Sequence, residues 1–297
     1  MPSNHESSRT TLFGSVEGQC GDVISFGVIY DQGSVASFGC AQAPSILRQL
    51  TRDSRLDEGL WDYAERRQLP LSLPLSDAGD FRYTPALSRD LFFLSIEEHV
   101  RGWAAARKIP LAIGGDHSIT LPIVRGVASA VGRVQVVQLD AHHDYADRPE
   151  GYGPTHSNFV SFLVDDPNVS RVTQVGVRGL STLLPKQPDK VVESRLQELS
   201  TALLPEVPVY LTIDTDAFDP GIAPAVVHPV PGGLRWTDLS AVVESIYAER
   251  RRLVGLDWTE YNPTLEGRNA PTGVAIALAL GRLLSEMGHY VRAEPTQ

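Results

Sequence analysis

Cysteine is nearly missing from this chain, with only Cys20 and Cys40 among 297 residues. Two thiols at that spacing offer neither a thiolate zinc site nor a disulfide framework, and they agree with a reducing cytoplasm, the expected location. Basic charge is also scarce: 26 lysines and arginines stand against 36 aspartates and glutamates, a formal net charge of −10. A polyanion-binding protein needs a basic face, so nucleic acid is not an expected partner. Long apolar runs are missing as well. The longest, near TGVAIALALGRLL, is too short to span a bilayer and reads as a buried helix, so no membrane partner is expected. The N-terminal MPSNHESSRTTLF lacks the basic-then-apolar order of a secretion signal. Internal repeats, charge blocks and low-complexity segments are absent too. Residues 1–21 read as a loose N-terminal tail and 22–297 as a single domain.

What is present is an alternation. Short β-rich apolar runs recur at 23–30, 110–115, 133–140, 171–179, 207–214 and 252–258. Segments with helical spacing lie at 44–50, 87–107, 118–131, 192–204, 239–250 and 272–287, and the proline-rich stretch around 68–85 reads as a long irregular connection. Strand alternating with helix predicts βαβ units, hence an α/β fold with a mostly parallel sheet covered on both faces. Open parallel sheets place ligands beyond the C-terminal ends of their strands. Three such ends carry the chemistry here: GGDHS (114–118), LDAHHD (139–144) and TIDTDAFDP (212–220).

Alternate residues of an extended segment point the same way. In LDAHHD this groups Asp140, His142 and Asp144 and turns His143 away; in TIDTD it groups Asp214 and Asp216. His117 follows the turn GGD at a third strand end. Four carboxylates crowded at one sheet edge repel one another unless a cation intervenes. Taken singly, each has a structural reading, as when Asp116 or Ser118 caps the helix beginning near Ile119. Taken together they point to metal. Oxygen ligands with two imidazoles suit Mn²⁺, with Fe, Co, Ni or Zn as competitors. So many carboxylates exceed what one catalytic ion with an open position needs, whereas two ions bridged by shared aspartates are a known hydrolytic arrangement.

The motifs GGDHS, D-x-H-x-D and IDTDAFDP, with GVIYDQGS, VGVRG and TEYNP (259–263), resemble those of the ureohydrolase family of arginases, agmatinases and their guanidino-acid relatives. The likeness covers residues from about 22 to 288 in matching order. It implies a three-layer α/β/α catalytic domain, two Mn²⁺ per subunit, a small guanidino substrate, and assembly as a homotrimer or homohexamer. It further implies that His117 and Asp144 bind one ion and His142 and Asp216 the other, with Asp140 and Asp214 bridging. Glu260 would pair with the substrate guanidinium, and His156, in PTHSNF, would shuttle a proton to the leaving amine alongside Asp144. The products would be urea, or a substituted urea, and an amine.

Departures from the family pattern lie around the expected substrate. In GIAPAVVHPVPGGL (221–234), His228 stands where a small hydroxyl residue is usual, and Val226 and Val227 replace other small residues. His228 is open to three readings: a partner of Glu260, a substrate contact, or a loop filler. Ser181 stands where arginases carry an acidic residue, which disfavours arginine as substrate. Arg148 and Asp147 are further candidates for reading the substrate tail, the first favouring a carboxylate and the second an amine; both also read as solvated loop charges. The leading expectation is an agmatinase-like hydrolase. Arginase-type, guanidino-acid and N-hydroxyarginine substrates of a specialised pathway remain alternatives, as do a single-zinc deacetylase of related fold and a catalytically silent guanidino-binding member.

Overall fold

The computed structural model describes residues 10–34, 38–54, 60–63, 66–69, 73–148, 150–180 and 186–293. Its strands are β1 (Val16–Glu17), β2 (Val23–Ile29), β3 (Leu60–Asp62), β4 (Arg67–Leu69), β5 (Leu75–Arg82), β6 (Ile109–Ile113), β7 (Val134–Leu139), β8 (Val169–Val175), β9 (Val191–Ser194), β10 (Val209–Asp214) and β11 (Leu253–Thr259). The helices are α1 (Ala43–Thr51), α2 (Arg89–Ala105), α3 (Thr120–Val131), α4 (Phe159–Leu163), α5 (Leu199–Ala202), α6 (Leu239–Tyr247) and α7 (Pro271–Ala293). Nine strands form one sheet in the order β1-β5-β2-β6-β11-β10-β7-β8-β9. Every neighbouring pair in it is parallel, while β3 and β4 form a separate antiparallel hairpin.

The central strands VQVVQL, VYLTID and LVGLDWT are buried along their whole length, which is why they read as continuous apolar runs. Alternate side chains serve opposite faces. On β7, Val134 and Val136 pack with Phe92, Ile96, Val127 and Phe159 of α2, α3 and α4. Val137 and Leu139 pack on the other side with Leu47, Val242, Ile246 and Leu283 of α1, α6 and α7. The result is the expected three-layer α/β/α arrangement. Among the described residues no helix is long and apolar enough to cross a membrane.

Three expectations change. β5 lies inside the stretch read as an irregular connection. Pro70, Pro74 and Pro85 give that reading, but all three lie outside the strand; within it, the buried Asp77 is neutralised by a residue distant in sequence: Arg48 of α1 donates to it from Nε (2.7 Å) and Nη2 (2.9 Å), and to Asp80 from Nη1 (2.6 Å). The segment 192–204, read as one helix, begins instead with the edge strand β9 and keeps only a 3-10 turn at Leu196–Glu198 and the single turn α5. The loose tail expected over 1–21 does not hold from Leu12 onward. Leu12 and Phe13 are buried in the core, their N–H groups donate to Asp77 and Thr51, and β1 pairs with β5. Replacing Arg48 with Ala should therefore cost about 3–5 kcal/mol, because Asp77 is left buried and unpaired. Urea unfolding checks this; a loss below 1 kcal/mol would mean that Asp77 finds another partner or a proton at little cost.

Candidate metal centre

Four adjacent strands, β6, β11, β10 and β7, deliver the chemistry at their C-terminal ends. After β6 the chain turns through Gly114 and Gly115 at φ 79° and 88°; a Cβ at Gly114 would lie 2.5 Å from Pro44. The turn leads to Asp116, whose carboxylate accepts the N–H groups of Ser118 (3.0 Å) and Gly33 (2.7 Å). Asp116 is therefore the cap, and its neighbour His117 is left to face the site.

His117 is buried and its two ring nitrogens have different surroundings. Thr212 Oγ1 donates to Asp257 Oδ1 (2.6 Å), so it can only accept from His117 Nε2 (2.8 Å). The proton thus belongs on Nε2, and Nδ1 presents its lone pair. That Nδ1 makes no hydrogen bond, yet it faces Asp140 Oδ2 (3.1 Å), Asp144 Oδ2 (3.2 Å) and Asp214 Oδ2 (3.1 Å). A lone pair aimed at three carboxylate oxygens in a buried site demands a positive charge between them. Beside it, His142 Nδ1 lies 2.9 Å from Asp216 Oδ2 and 3.6 Å from Asp140 Oδ1. Two ligand groups result, His117/Asp140/Asp144/Asp214 and Asp140/His142/Asp216, each with its donor atoms within 4.8 Å of one another. They share Asp140. The residues fit a pair of divalent ions.

The titration behaviour agrees. Burial raises Asp144 to about 8 and pushes Asp214 well up, and neighbouring carboxylates add to both shifts. Burial opposes charge on His117, but its contacts with Asp140, Asp144 and Asp214 prevail and lift it well above an ordinary histidine. His142 rises to about 11 through Asp140 and Asp216. Without metal, protons take the place of the cations that the carboxylates require.

The structure brings Asp140, His142 and Asp144 together, but not by the period-two path that the sequence suggests. β7 has already ended, and Asp144 converges through a left-handed φ of 49°. Asp216 likewise sits in a 3-10 turn, its N–H donating to Asp214 Oδ1 at 2.8 Å. Such left-handed positions cost about 1–3 kcal/mol and mark sites where side-chain placement overrides backbone comfort.

Glu260 follows β11, also left-handed (φ 60°), with its N–H donating to Gly115 O. Its Oε1 accepts the His117 N–H at 2.9 Å and lies 3.3 Å from His156 Nδ1; Cys40 Sγ donates to Oε2 at 3.5 Å. Burial would raise its pKa, but His156 and the His117 N–H hold it below the ordinary value, so it stays ionised. His156 is held by its N–H to Gly33 O, and Glu260 raises its pKa against burial.

His142, Asp144, His156, Asp214, Asp216 and Glu260 form the floor of a cavity of about 560 Å³, walled on one side by Val226, Val227, His228 and Val230. The His228 ring lies 6.0 Å from that of His142 and 5.9 Å from that of His156, so it stands over the floor rather than filling the loop. His143 points away from the ligands, stacked on Tyr145 at 4.2 Å, though it still lines the wall. Arg148 and Asp147 do not line the cavity. Arg148 turns outward, 2.6 Å from Asp165 and over the Phe162 ring, and Asp147 is exposed. Ser181 lies outside the described residues.

Four contributors went unread in the sequence. Gln138 donates to Asp140 Oδ2 (2.7 Å) and Thr212 orients His117; a polar residue two positions before a ligand inside an apolar strand was the available signal. Arg178 clamps the loop by donating to the carbonyls of Gly176, Asp216, Ala217, Phe218 and Val230. Glu193 of β9 lines the cavity, and nothing in its local sequence marks it.

A model of the arginase family matches residues 21–285, a span that includes all six candidate ligands, His156 and Glu260. The chain is 25% identical to the agmatinase of Blochmanniella floridana over 275 residues, covering 90% of this chain and 88% of that one. It is 33% identical to the chloroplastic/mitochondrial Arginase 2 of Arabidopsis thaliana over 190 residues, 60% of this chain and 54% of the plant protein, about half of its length. The proclavaminate amidino hydrolase from Streptomyces clavuligerus has the same fold, with a TM-score of 0.81 at 24% identity over 97% of this chain and 100% of that one. On the matched residues, this chain belongs to the arginase family.

Proposed function

We propose that this chain is a two-metal amidinohydrolase that cleaves a small, agmatine-like guanidino compound to urea, or a substituted urea, and an amine. The observation that carries the reading is the pair of ligand groups sharing Asp140, set directly beside an ionised, buried Glu260 on the cavity floor. His117, Asp140, Asp144 and Asp214 would hold one ion. His142, Asp140 and Asp216 would hold the other, with Asp214 as second bridge. The all-oxygen-and-imidazole donor set favours Mn²⁺. Bound there, the two ions supply Lewis acidity and a water acidic enough to act near neutral pH.

The chain's own residues do the rest. A guanidinium presents a planar fork of N–H donors, and the Glu260 carboxylate holds such a fork in one plane above the ligands. Asp144 stands at the ligand cluster, where its carboxylate can take a proton from the attacking water. The water oxygen bonds to the guanidino carbon, the bond from that carbon to the tail nitrogen breaks, and the departing amine needs a proton. His156, whose Nδ1 lies 3.3 Å from Glu260 Oε1 and whose pKa that carboxylate raises, would donate that proton. Replacing His156 with Asn should lower kcat by about 10²-fold with bound metal unchanged, since general-acid help is worth at least that much. Unaltered turnover would remove His156 from the mechanism.

The relatives named as agmatinases support the agmatine-like substrate, the family resemblance supports a homotrimer or homohexamer, and the scarcity of cysteine accords with a reducing cytoplasm. The decisive experiment loads the protein with Mn²⁺ and offers agmatine, arginine, guanidinobutyrate, guanidinopropionate and hydroxyarginine, reading urea or hydroxyurea release. Turnover of any one carries the reading. Failure with all of them at full metal occupancy overturns it and leaves a guanidino-binding protein.

A further inference from the structure

One feature of the cavity bears on which guanidino compound it takes, given the proposed function. The cavity wall contains a single guanidinium, that of Arg178, and no lysine among the described residues. Arg178 cannot reach out to a ligand. Its Nε, Nη1 and Nη2 donate to backbone carbonyls on both sides of the cleft, including Val230 O at 2.6 Å and Asp216 O at 2.7 Å. The neighbouring stretch 181–185, STLLP, has neither lysine nor arginine in its sequence. Arg148, the remaining basic candidate, is engaged with Asp165 outside the cavity. Among the described residues, a substrate tail ending in a carboxylate therefore meets no free lysine or arginine on this wall.

It meets an anion instead. Glu193 lines the same cavity and is exposed on the edge strand β9. In the sheet, Gln138 of β7 is in register with Gln174 of β8, and Gln174 with Glu193 of β9. Gln174 Nε2 donates to Gln138 Oε1 (2.7 Å), and Gln138 in turn donates to Asp140, so this row shares the face that carries the ligands. Glu193 stands two strand spacings from Gln138, about 10 Å, which suits a cation joined to the guanidinium by a short aliphatic spacer. His228 lies at the other end, its ring 6.0 Å from that of His142 and 5.9 Å from that of His156, away from Glu193's end of the row.

We propose that Glu193 is a specificity-determining residue and that it selects guanidino substrates whose tail ends in an ammonium group over those whose tail ends in a carboxylate. The charge acts across a partly solvated rim, so its effect is moderate and sensitive to salt.

The test compares kcat/KM of the Mn²⁺-loaded protein for agmatine, butylguanidine and 4-guanidinobutyrate, in the parent and in Glu193→Gln and Glu193→Lys. The expected order in the parent is ammonium, neutral, carboxylate. Glu193→Gln should shrink the ammonium-to-neutral ratio by about fivefold, and Glu193→Lys should bring the carboxylate substrate above the ammonium one. A parent that prefers the carboxylate, or a ratio untouched by Glu193→Gln, overturns the proposal. If no guanidine is hydrolysed, the proposed function fails while this inference is still decided by calorimetry with 1,4-diaminobutane and 4-aminobutyrate. Preferential diamine binding that weakens in Glu193→Gln supports it, and equal binding of the two probes overturns it.

Discussion

Replacing Asp140 with Ala should strip the protein of both ions and lower guanidine hydrolysis by at least about 10³-fold, more than the loss of a single transition-state hydrogen-bond donor. Asp140 is the one residue common to both ligand groups. Its Oδ2 faces His117 Nδ1 at 3.1 Å and its Oδ1 accepts the His142 N–H at 2.7 Å, so a single carboxylate ties the two groups together. Asp216 belongs to only the second group. Metal analysis after loading with Mn²⁺ should therefore give close to two ions per chain in the parent, about one in Asp216→Ala and close to none in Asp140→Ala. Stability provides a readout independent of catalysis. Metal that binds only the folded chain stabilises it by about 2.7 kcal/mol at a hundredfold excess over Kd. The Mn²⁺-dependent rise in Tm should vanish in Asp140→Ala and persist in part in Asp216→Ala. Two ions retained by Asp140→Ala would sink the shared-ligand arrangement.

The six candidate ligands were legible because they cluster at or within a few residues of the ends of apolar strands, where a charged side chain has no reason to be unless it has a task at the sheet edge. Glu260, after LVGLDWT, is legible only through the likeness of TEYNP to the family motif. Local pattern fails where the reason for a residue lies elsewhere in the chain. Pro70, Pro74 and Pro85 made the stretch around β5 look like a connection, and nothing near Asp77 in sequence announces its partner Arg48, 29 residues away. Arg148 and Asp147 lie close in sequence to the ligands, but the loop turns and Arg148 finds Asp165 instead. Arg178 was visible as part of VGVRG, but its engagement with carbonyls up to 53 residues distant is a property of the folded loop. Glu193 is an ordinary surface glutamate until β9 pairs with β8 and brings it to the cavity wall. Local pattern thus identified what the strands carry, and long-range pairing decided what surrounds it.

Glu260→Gln is expected to lower kcat/KM by about 10³-fold while leaving both metals bound, because truncating the charge of a buried, hydrogen-bonded ion pair costs about 2–5 kcal/mol or more. The substitution is conservative in shape. A glutamine oxygen can still accept the His117 N–H that Glu260 Oε1 accepts at 2.9 Å, so the turn from β6 to His117 should keep its form. What is lost is the negative charge facing the guanidinium and the attraction that holds His156, 3.3 Å from Oε1. The pKa of His156 is raised by Glu260, so the variant should also lower the pH at which His156 gives up its proton. Activity of the variant should consequently fall off at lower pH on its alkaline limb than that of the parent, in addition to being weaker throughout. Metal content near two per chain, a thermal midpoint within a few degrees of the parent and a kcat/KM collapse together assign Glu260 to substrate rather than to metal. Loss of metal in Glu260→Gln would instead make Glu260 a support for His117, with the guanidinium held by another group.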